Sequence, residues 1–482
     1  MKPSVRLVLS LGFAFLAAGA RAGEAASPKT PRDWTWVRGA VFVPTNAVNE
    51  AQQWDEYDPA VNDRELHYAA VYGFNLVRVY LHYYVYLKKP DALRRNIEDF
   101  LQRAANYGLK TEFVFFDDCW NQPPEEMLAA DYRYPAPLPG VHNSRWLVSP
   151  GARVQARYGE HRPRLKAYVQ DLVGAHRDDA RIAFWEIYNE PNQSPETLRL
   201  EQDAAAWIKE TGTLIPATAT GREFSGDAFS DFRTWHEYGN YDYVGDPSSL
   251  NTECMNRQHQ SVPGIVAHFQ GKTGFILWEL GIGRDNCRFA WDENRDHPRR
   301  DEAVTPFHGV IYPDGHPWAL EDARALLGPP RFAATPFFTV RYFADANFTR
   351  LAKTSVVPFI DFDLGDEPGT RSPDASARIP EQGFSIEYTG SIVPPASGIY
   401  MIAADCDHWV TLSIDGMTVI DKRTPGRAEA TGTIPLTGGK ECTFRARYVH
   451  DTGAASLHLT WSGSSLARRV IEPSSVVVSP GG

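Results

Sequence analysis

The sequence predicts an α/β class chain: a parallel (β/α)8 barrel of the TIM type followed by an all-β sandwich or barrel. Three observations carry this prediction. Over residues 33–328, eight short apolar runs alternate with helical patterns. The polar residues with chemistry to offer fall at the C-terminal ends of those runs, where the reactive groups of such barrels sit. Beyond residue 337, helical periodicity gives way to short alternating strands separated by turns.

The first strand is the run 37–43, and residues 63–72 make a helix with Leu66, Ala69 and Ala70 on one face. The second strand, 75–81, precedes a helix over 91–107 that Gly108 closes. The third strand, 110–116, opens into a long loop rich in proline and aromatics, 117–159, before a helix over 161–176. The fourth strand is 182–187, stopped by Pro191, which cannot extend a ladder. A helix follows over 195–211, then strands at 214–219, 231–236, 249–254 and 274–280, with helices at 262–269 and 318–327. Residues 329–337 read as a linker, and 338–477 as the β domain, with strands at 384–389, 398–403, 410–414, 442–449 and 455–461.

Composition narrows the function. The chain has 482 residues, 43% hydrophobic and 12% aromatic, enough for two cores and an aromatic-lined cleft. Its net charge of −11, from 49 basic and 60 acidic residues, argues against a nucleic-acid or anionic-membrane partner. Neither Cys-x-x-Cys nor His-Glu-x-x-His occurs, so no metal and no cofactor is predicted. Lys2 and Arg6, an apolar run over 7–18 and Ala20-Arg21-Ala22 form a secretory signal peptide over 1–22, too short to span a bilayer. The protein is therefore expected to be secreted or periplasmic, with no membrane partner once cleaved, and monomeric. Five cysteines (Cys119, Cys254, Cys287, Cys406 and Cys442) leave at least one thiol unpaired, and Cys406 with Cys442 is an open pairing.

The motif that organises the chain is Trp185-Glu186-Ile187-Tyr188-Asn189-Glu190-Pro191. It sets a carboxylic acid at the lip of a strand, beside an amide that can hold a sugar hydroxyl. A retaining glycosidase needs two carboxyl groups about 5–5.5 Å apart, one acting as acid/base and one as nucleophile. Strands four and seven face each other across the mouth of a small barrel. Glu190 is thus the expected acid/base and Glu253 the expected nucleophile. Glu279 is the rival nucleophile, but choosing it forces Gly309 and Pro313 into an eighth strand. Asn189 and Glu190 are adjacent, so both reach the cleft only if the strand bends there.

His236 and Tyr238 share parity and can face the cleft together. Tyr238 is suited to donating to the nucleophile and His236 to binding a hydroxyl; packing of the rim is the plainer reading. Arg78 lies within an apolar strand and requires a carboxylate partner if buried. Asp117, Asp118, Trp120, His142, Asn143 and Trp146 occupy the long third loop, and Trp278 and Trp291 add further aromatic surface. Aromatic faces and hydrogen-bonding groups together suit sugars.

Gly39-Ala40, Arg78, Asn189-Glu190-Pro191, His236-Glu237-Tyr238, Glu253 and Trp278 together resemble the clan of retaining (β/α)8 glycoside hydrolases that includes cellulase family 5. The resemblance implies acid/base for Glu190 and nucleophile for Glu253. It implies substrate binding by Arg78, Asn189, His236, Tyr238 and Trp278, to which the loop reading adds Asp117, Trp120 and His142. The segment Cys254-Met255-Asn256-Arg257 departs from the family 5 pattern. In the β domain, Val340-Arg341-Tyr342-Phe343, Phe384-Ser385-Ile386-Glu387-Tyr388-Thr389-Gly390 and Leu412-Ser413-Ile414-Asp415-Gly416 resemble a PA14 domain. Such domains often bind carbohydrate. Some hold calcium through adjacent aspartates, but Cys406 separates Asp405 from Asp407 here, and no metal is predicted. The expectation is an exported retaining β-glycoside hydrolase acting on a polysaccharide or oligosaccharide. The alternatives are a carbohydrate-binding barrel without turnover, or a transglycosylase using the same site.

Overall fold

Eight strands form one parallel sheet: β1 (Arg38–Val41), β2 (Leu76–Tyr80), β3 (Lys110–Asp117), β4 (Ile182–Asn189), β5 (Ala217–Thr220), β6 (Thr234–Glu237), β7 (Leu250–Cys254) and β8 (Gly274–Leu277). Their order is β5-β4-β3-β2-β1-β8-β7-β6, with β1 hydrogen-bonded to both β2 and β8, so the sheet wraps round on itself. These are the elements of a near-closed (β/α)8 barrel. The computed structural model describes residues 32–220, 229–291, 305–365 and 371–474. The expected signal peptide, 1–22, lies outside the described residues. No helix among the described residues is long and apolar enough to cross a membrane.

Among the described residues, β5 and β6 share no strand ladder. Hydroxyl contacts bridge them instead: Thr234 Oγ1 lies 2.9 Å from Thr218 Oγ1 and 2.8 Å from Thr220 Oγ1. The Asp231 amide adds a 2.7 Å bond to the Ala217 carbonyl. This irregular edge explains why β5 and β6 start three residues later than periodicity predicts.

Helices α1 (Glu50–Asp55) and α2 (Pro59–Val71) follow β1; α3 (Tyr83–Lys88) and α4 (Pro90–Asn106) follow β2; α5 (Ala152–Ala156) and α6 (Tyr158–Ala175) follow β3. After β4 comes α7 (Pro195–Glu210), after β7 comes α8 (Val262–Phe269), and α9 (Leu320–Leu327) and α10 (Pro329–Ala334) close the region. Their starts carry the expected chemistry. The Asp58, Ser194 and Ser261 side chains accept backbone N–H groups, and Pro occupies the first turn in each of those three helices. In α4, Leu93, Ile97, Phe100, Leu101 and Ala104 form one buried stripe. The expected linker is partly helical, since α10 falls within it.

Strand alternation sorts the barrel into two cores. Val77, Val79, Phe113, Phe115 and Trp185 pack outward against helices. Leu76, Tyr80, Val114, Phe184, Leu250 and Ile276 fill the interior. Arg78, Glu112 and Glu186 share the interior parity and are fully buried.

The second domain is an antiparallel sandwich. One sheet orders β10 (Leu351–Val357), β9 (Phe338–Phe343), β12 (Phe384–Ile392), β17 (Cys442–His450), β14 (Trp409–Ile414) and β15 (Met417–Lys422). The other orders β11 (Asp361–Asp363), β18 (Ser456–Gly463), β13 (Gly398–Cys406) and β16 (Ala428–Leu436), with β19 (Leu466–Val470) paired to β18. All five cysteines are free thiols, Cys406 and Cys442 included. From Asp33 onward both domains belong to one compact unit. Tyr68 donates to the Asp361 carbonyl at 2.7 Å, Lys353 to Asp374 at 2.6 Å and to the Trp318 carbonyl at 2.9 Å, and His67 stacks on Phe359 at 4.6 Å.

Candidate functional site

At the C-terminal ends of the barrel strands lies a pocket of about 560 Å³. Glu190, Glu253, His236, Tyr238, Asn189 and Trp278 line it, together with Asp118, Cys119, Trp120, His142, Asn143, Trp291 and His308. Glu190 enters by a break in the strand. The register of β4 with β5 shifts between Glu186 and Asn189, and Glu190 takes a left-handed backbone, φ 44°. The bend lets Asn189 and Glu190 reach the same pocket. Trp120 (φ 74°), Asn143 (φ 41°) and Met255 (φ 90°) adopt the same sparsely populated region around it.

One oxygen of Glu190, one of Glu253 and a ring nitrogen of His236 all lie within 4.8 Å of one another. His236 Nδ1 is 2.8 Å from Glu190 Oε1 and 3.3 Å from Glu253 Oε2. Burial works against the imidazolium, but Glu253 and Glu190 together outweigh it and hold the His236 pKa above the ordinary histidine value. Glu253 is surrounded by donors: Arg78 Nη1 at 2.7 Å and the Tyr80 hydroxyl at 3.0 Å to one oxygen, the Tyr238 hydroxyl at 2.8 Å to the other. Glu190 has Cys119 Sγ 3.3 Å from its Oε2. Burial, followed by Asp117, Glu190 and Glu253, pushes the Cys119 thiol far up, so it stands as an S–H donor.

Arg78 and Asp117, expected at the substrate, do not line the pocket. They lie beneath it. The Arg78 guanidinium also binds Glu186 at 2.7 and 2.8 Å, Glu112 at 3.1 Å and Asn189 Oδ1 at 2.9 Å. Burial, with Glu186 beside it, drives the Glu112 carboxyl far above the usual range. Asp117 accepts from Asn189 Nδ2 and from Trp146 Nε1, both at 2.8 Å. Burial raises its pKa to about 7 against those bonds.

Trp120, His142, Asn189, His236, Tyr238 and Trp278 all line the pocket with both expected carboxylates. Glu279 does not. It is 1% exposed and belongs to a separate cluster with Asp285 and Cys287. Strand β8 ends at Leu277, short of the expected 280.

His308 on the pocket wall and Tyr80 beneath it escaped the sequence reading. His308 lines the wall from a loop, and its Nδ1–H donates to the Met255 carbonyl at 2.5 Å. Its Nε2, the His236 Nε2 and both amide atoms of Asn143 are buried without a hydrogen-bond partner. Buried polar atoms are normally paired, so these four atoms prepare the wall for a polar ligand. Tyr80 was missed although it shares the parity of Arg78. Trp120 and Trp291, 46% and 40% exposed, offer ring faces at the mouth.

Other groups have ligand atoms spaced for a cation: Asp407 with His408 and His450, Glu98 with His176 and Asp179, and Glu279 with Asp285 and Cys287. In the first of these, Asp407 accepts His408 Nδ1 at 2.8 Å, the Tyr448 hydroxyl at 2.7 Å and the Ser456 amide at 2.9 Å. That carboxylate is already satisfied by hydrogen bonds.

Fold and site together define a (β/α)8 barrel protein with a polar pocket and an appended β sandwich. Residues 341–475 match the PA14 domain family, and the C-terminal region is a PA14 domain. The chain is 33% identical over 141 residues to the anti-sigma-I factor RsgI3 of Acetivibrio thermocellus. That match spans 29% of this chain and only 21% of the relative, so the chain covers about a fifth of that protein. Among solved structures, an anti-sigma factor domain-containing protein is similar at 30% identity and TM-score 0.27, over 30% of this chain and 50% of that one. A PA14 sugar-binding domain from an RTX adhesin is similar at 18% identity and TM-score 0.24, over 29% of this chain and all of that one.

Proposed function

We propose that this protein is a retaining β-glycoside hydrolase acting on a polysaccharide or oligosaccharide. The observation that carries the proposal is the approach of Glu190 and Glu253 to within 4.8 Å around His236 in one pocket. That spacing matches a double displacement, in which one carboxylate attacks the anomeric carbon directly and no water need fit between the two groups.

In this reading Glu190 protonates the leaving oxygen while Glu253 attacks, and the sugar is held as a glycosyl ester on Glu253. Glu190 then takes a proton from water, which attacks the anomeric carbon and releases Glu253. Arg78, Tyr80 and Tyr238 fix both oxygens of the nucleophile, and His236 spans the two carboxylates. Asn143 and His308 bind hydroxyls with their unpartnered atoms. Trp120, Trp278 and Trp291 stack on sugar faces. Membership of the PA14 family supports carbohydrate binding by the second domain. The basic, then apolar N-terminal stretch supports export, and the excess of acidic residues supports a neutral sugar polymer over nucleic acid as partner.

The test is hydrolysis of β-glucan, xylan, mannan and aryl β-glycosides by the wild type beside Glu190→Gln and Glu253→Gln. Turnover lost in both variants with the fold intact supports the pair. Turnover that survives Glu253→Gln overturns it. Binding without turnover on any substrate favours a carbohydrate-binding barrel.

A further inference from the structure

Glu279, Asp285 and Cys287 sit between the end of β1 and the loop that leaves β8. Their exposures are 1%, 2% and 0%. One ligand atom from each lies within 4.8 Å of the others. Among the described residues, neither carboxylate forms an ion pair with a basic side chain. Asp285 Oδ1 accepts the Cys287 amide at 3.4 Å, while Asp285 Oδ2 and Glu279 Oε2 are buried with no hydrogen-bond partner. Glu279 and Asp285 face each other and the thiol, and two buried carboxyls this close need a proton or a metal cation between them.

We infer that Glu279, Asp285 and Cys287 form a binding site for a divalent cation of the zinc class. The donor set selects the ion. Calcium and magnesium take oxygen ligands in sets of six or more, whereas zinc accepts thiolate and carboxylate together in a four-coordinate shell. The Gly281 carbonyl, 3.6 Å from Cys287 Sγ, is placed to supply a fourth donor. On binding, the Cys287 proton and the proton shared by Glu279 and Asp285 both pass to solvent, and the thiolate and the two carboxylates coordinate.

The position gives the ion a use. Glu279 follows Trp278, and Cys287 lies four residues before Trp291, and both tryptophans line the pocket. A cation here ties the two ends of the loop that carries them. The site shares no residue with the proposed catalytic pair, so it stands or falls separately from the hydrolase reading.

The test uses the full chain, stripped with a chelator and titrated with cobalt(II), then zinc. The expected result is a thiolate-to-cobalt charge-transfer band in the near ultraviolet that zinc displaces, with a zinc-dependent rise in Tm. Cys287→Ser should abolish the band, whereas His408→Ala should leave it. The wild-type spectrum decides the matter even where Cys287→Ser does not fold. No thiolate band overturns the proposal, and so does a zinc-dependent Tm rise without the band, because the ion then sits elsewhere. In either case the two carboxylates share a proton instead.

Discussion

Arg78 and Glu253 are 175 positions apart in the chain and meet in a 2.7 Å hydrogen bond beneath the pocket floor. Arg78 is fully buried, and its remaining donors go to Glu186, Glu112, Asn189 and Tyr80. One interior cation thereby sets the position of the proposed nucleophile and of the residue preceding the proposed acid/base. Removing it would leave uncompensated carboxylates in the barrel core. Arg78→Met should therefore destabilise the fold by about 3–5 kcal/mol, the range for breaking a buried pair by deleting one partner. Chemical denaturation measures this, and a loss under ~1 kcal/mol would contradict the role given to the buried network.

Tyr238 donates to Glu253 Oε2 while Arg78 and Tyr80 hold Oε1. Tyr238→Phe should lower kcat roughly tenfold or more with little change in KM, since a charge-assisted bond of about 1.5–3 kcal/mol is lost at the reacting carboxylate. Equal stability of the two proteins, checked by thermal melting, separates this from a folding defect.

Glu190→Gln should lower kcat/KM by about 10²–10⁴ on substrates with poor leaving groups, the usual worth of a positioned general acid. Aryl glycosides with acidic phenols need no protonation, so their first step should be far less affected. Similar losses on both substrate types would argue against Glu190 as the acid.

Asp117 couples the floor to pH. Burial raises its pKa to about 7, against an ordinary value of 3.8. The unfolded carboxyl ionises first, so between pH 3.8 and about 7 the folded state binds more protons. This group's contribution is thus fully present below pH 3.8, is lost as pH rises through about 7, and is then constant. Stability of Asp117→Asn should be flatter than wild type across that window, as denaturation at stepped pH would reveal.

Trp120 and Trp291 are exposed and line the pocket. Alanine at either should raise KM several-fold, in line with about 1 kcal/mol for an aromatic contact, and leave kcat nearly unchanged. A fall in kcat alone would place these rings in catalysis rather than in binding.

Most of the barrel was legible because burial imposes period on the sequence: α8 occupies the predicted span, and β3 and β4 begin where predicted. β4 ends two residues later than its apolar run because Tyr188 and Asn189 still pair before the chain breaks. The floor was less legible. Arg78, Glu112 and Glu186 recur at interior positions of three successive strands, a signal present in the sequence, but which carboxylate each arginine nitrogen meets depends on register. His308 carries no local signal at all: it reaches the pocket from an irregular loop between β8 and α9. The bend at Glu190 was required by adjacency with Asn189, and φ 44° is its form.

The bonds from Tyr68 to the Asp361 carbonyl and from Lys353 to the Trp318 carbonyl join the two domains directly. A module on a loose tether searches a volume, and its local concentration is set by tether length. A module clasped to its neighbour works as a ruler instead. If the PA14 domain grips a polymer, the gripped sugar and the pocket are separated by a fixed span, so only chains that bridge that span engage both at once.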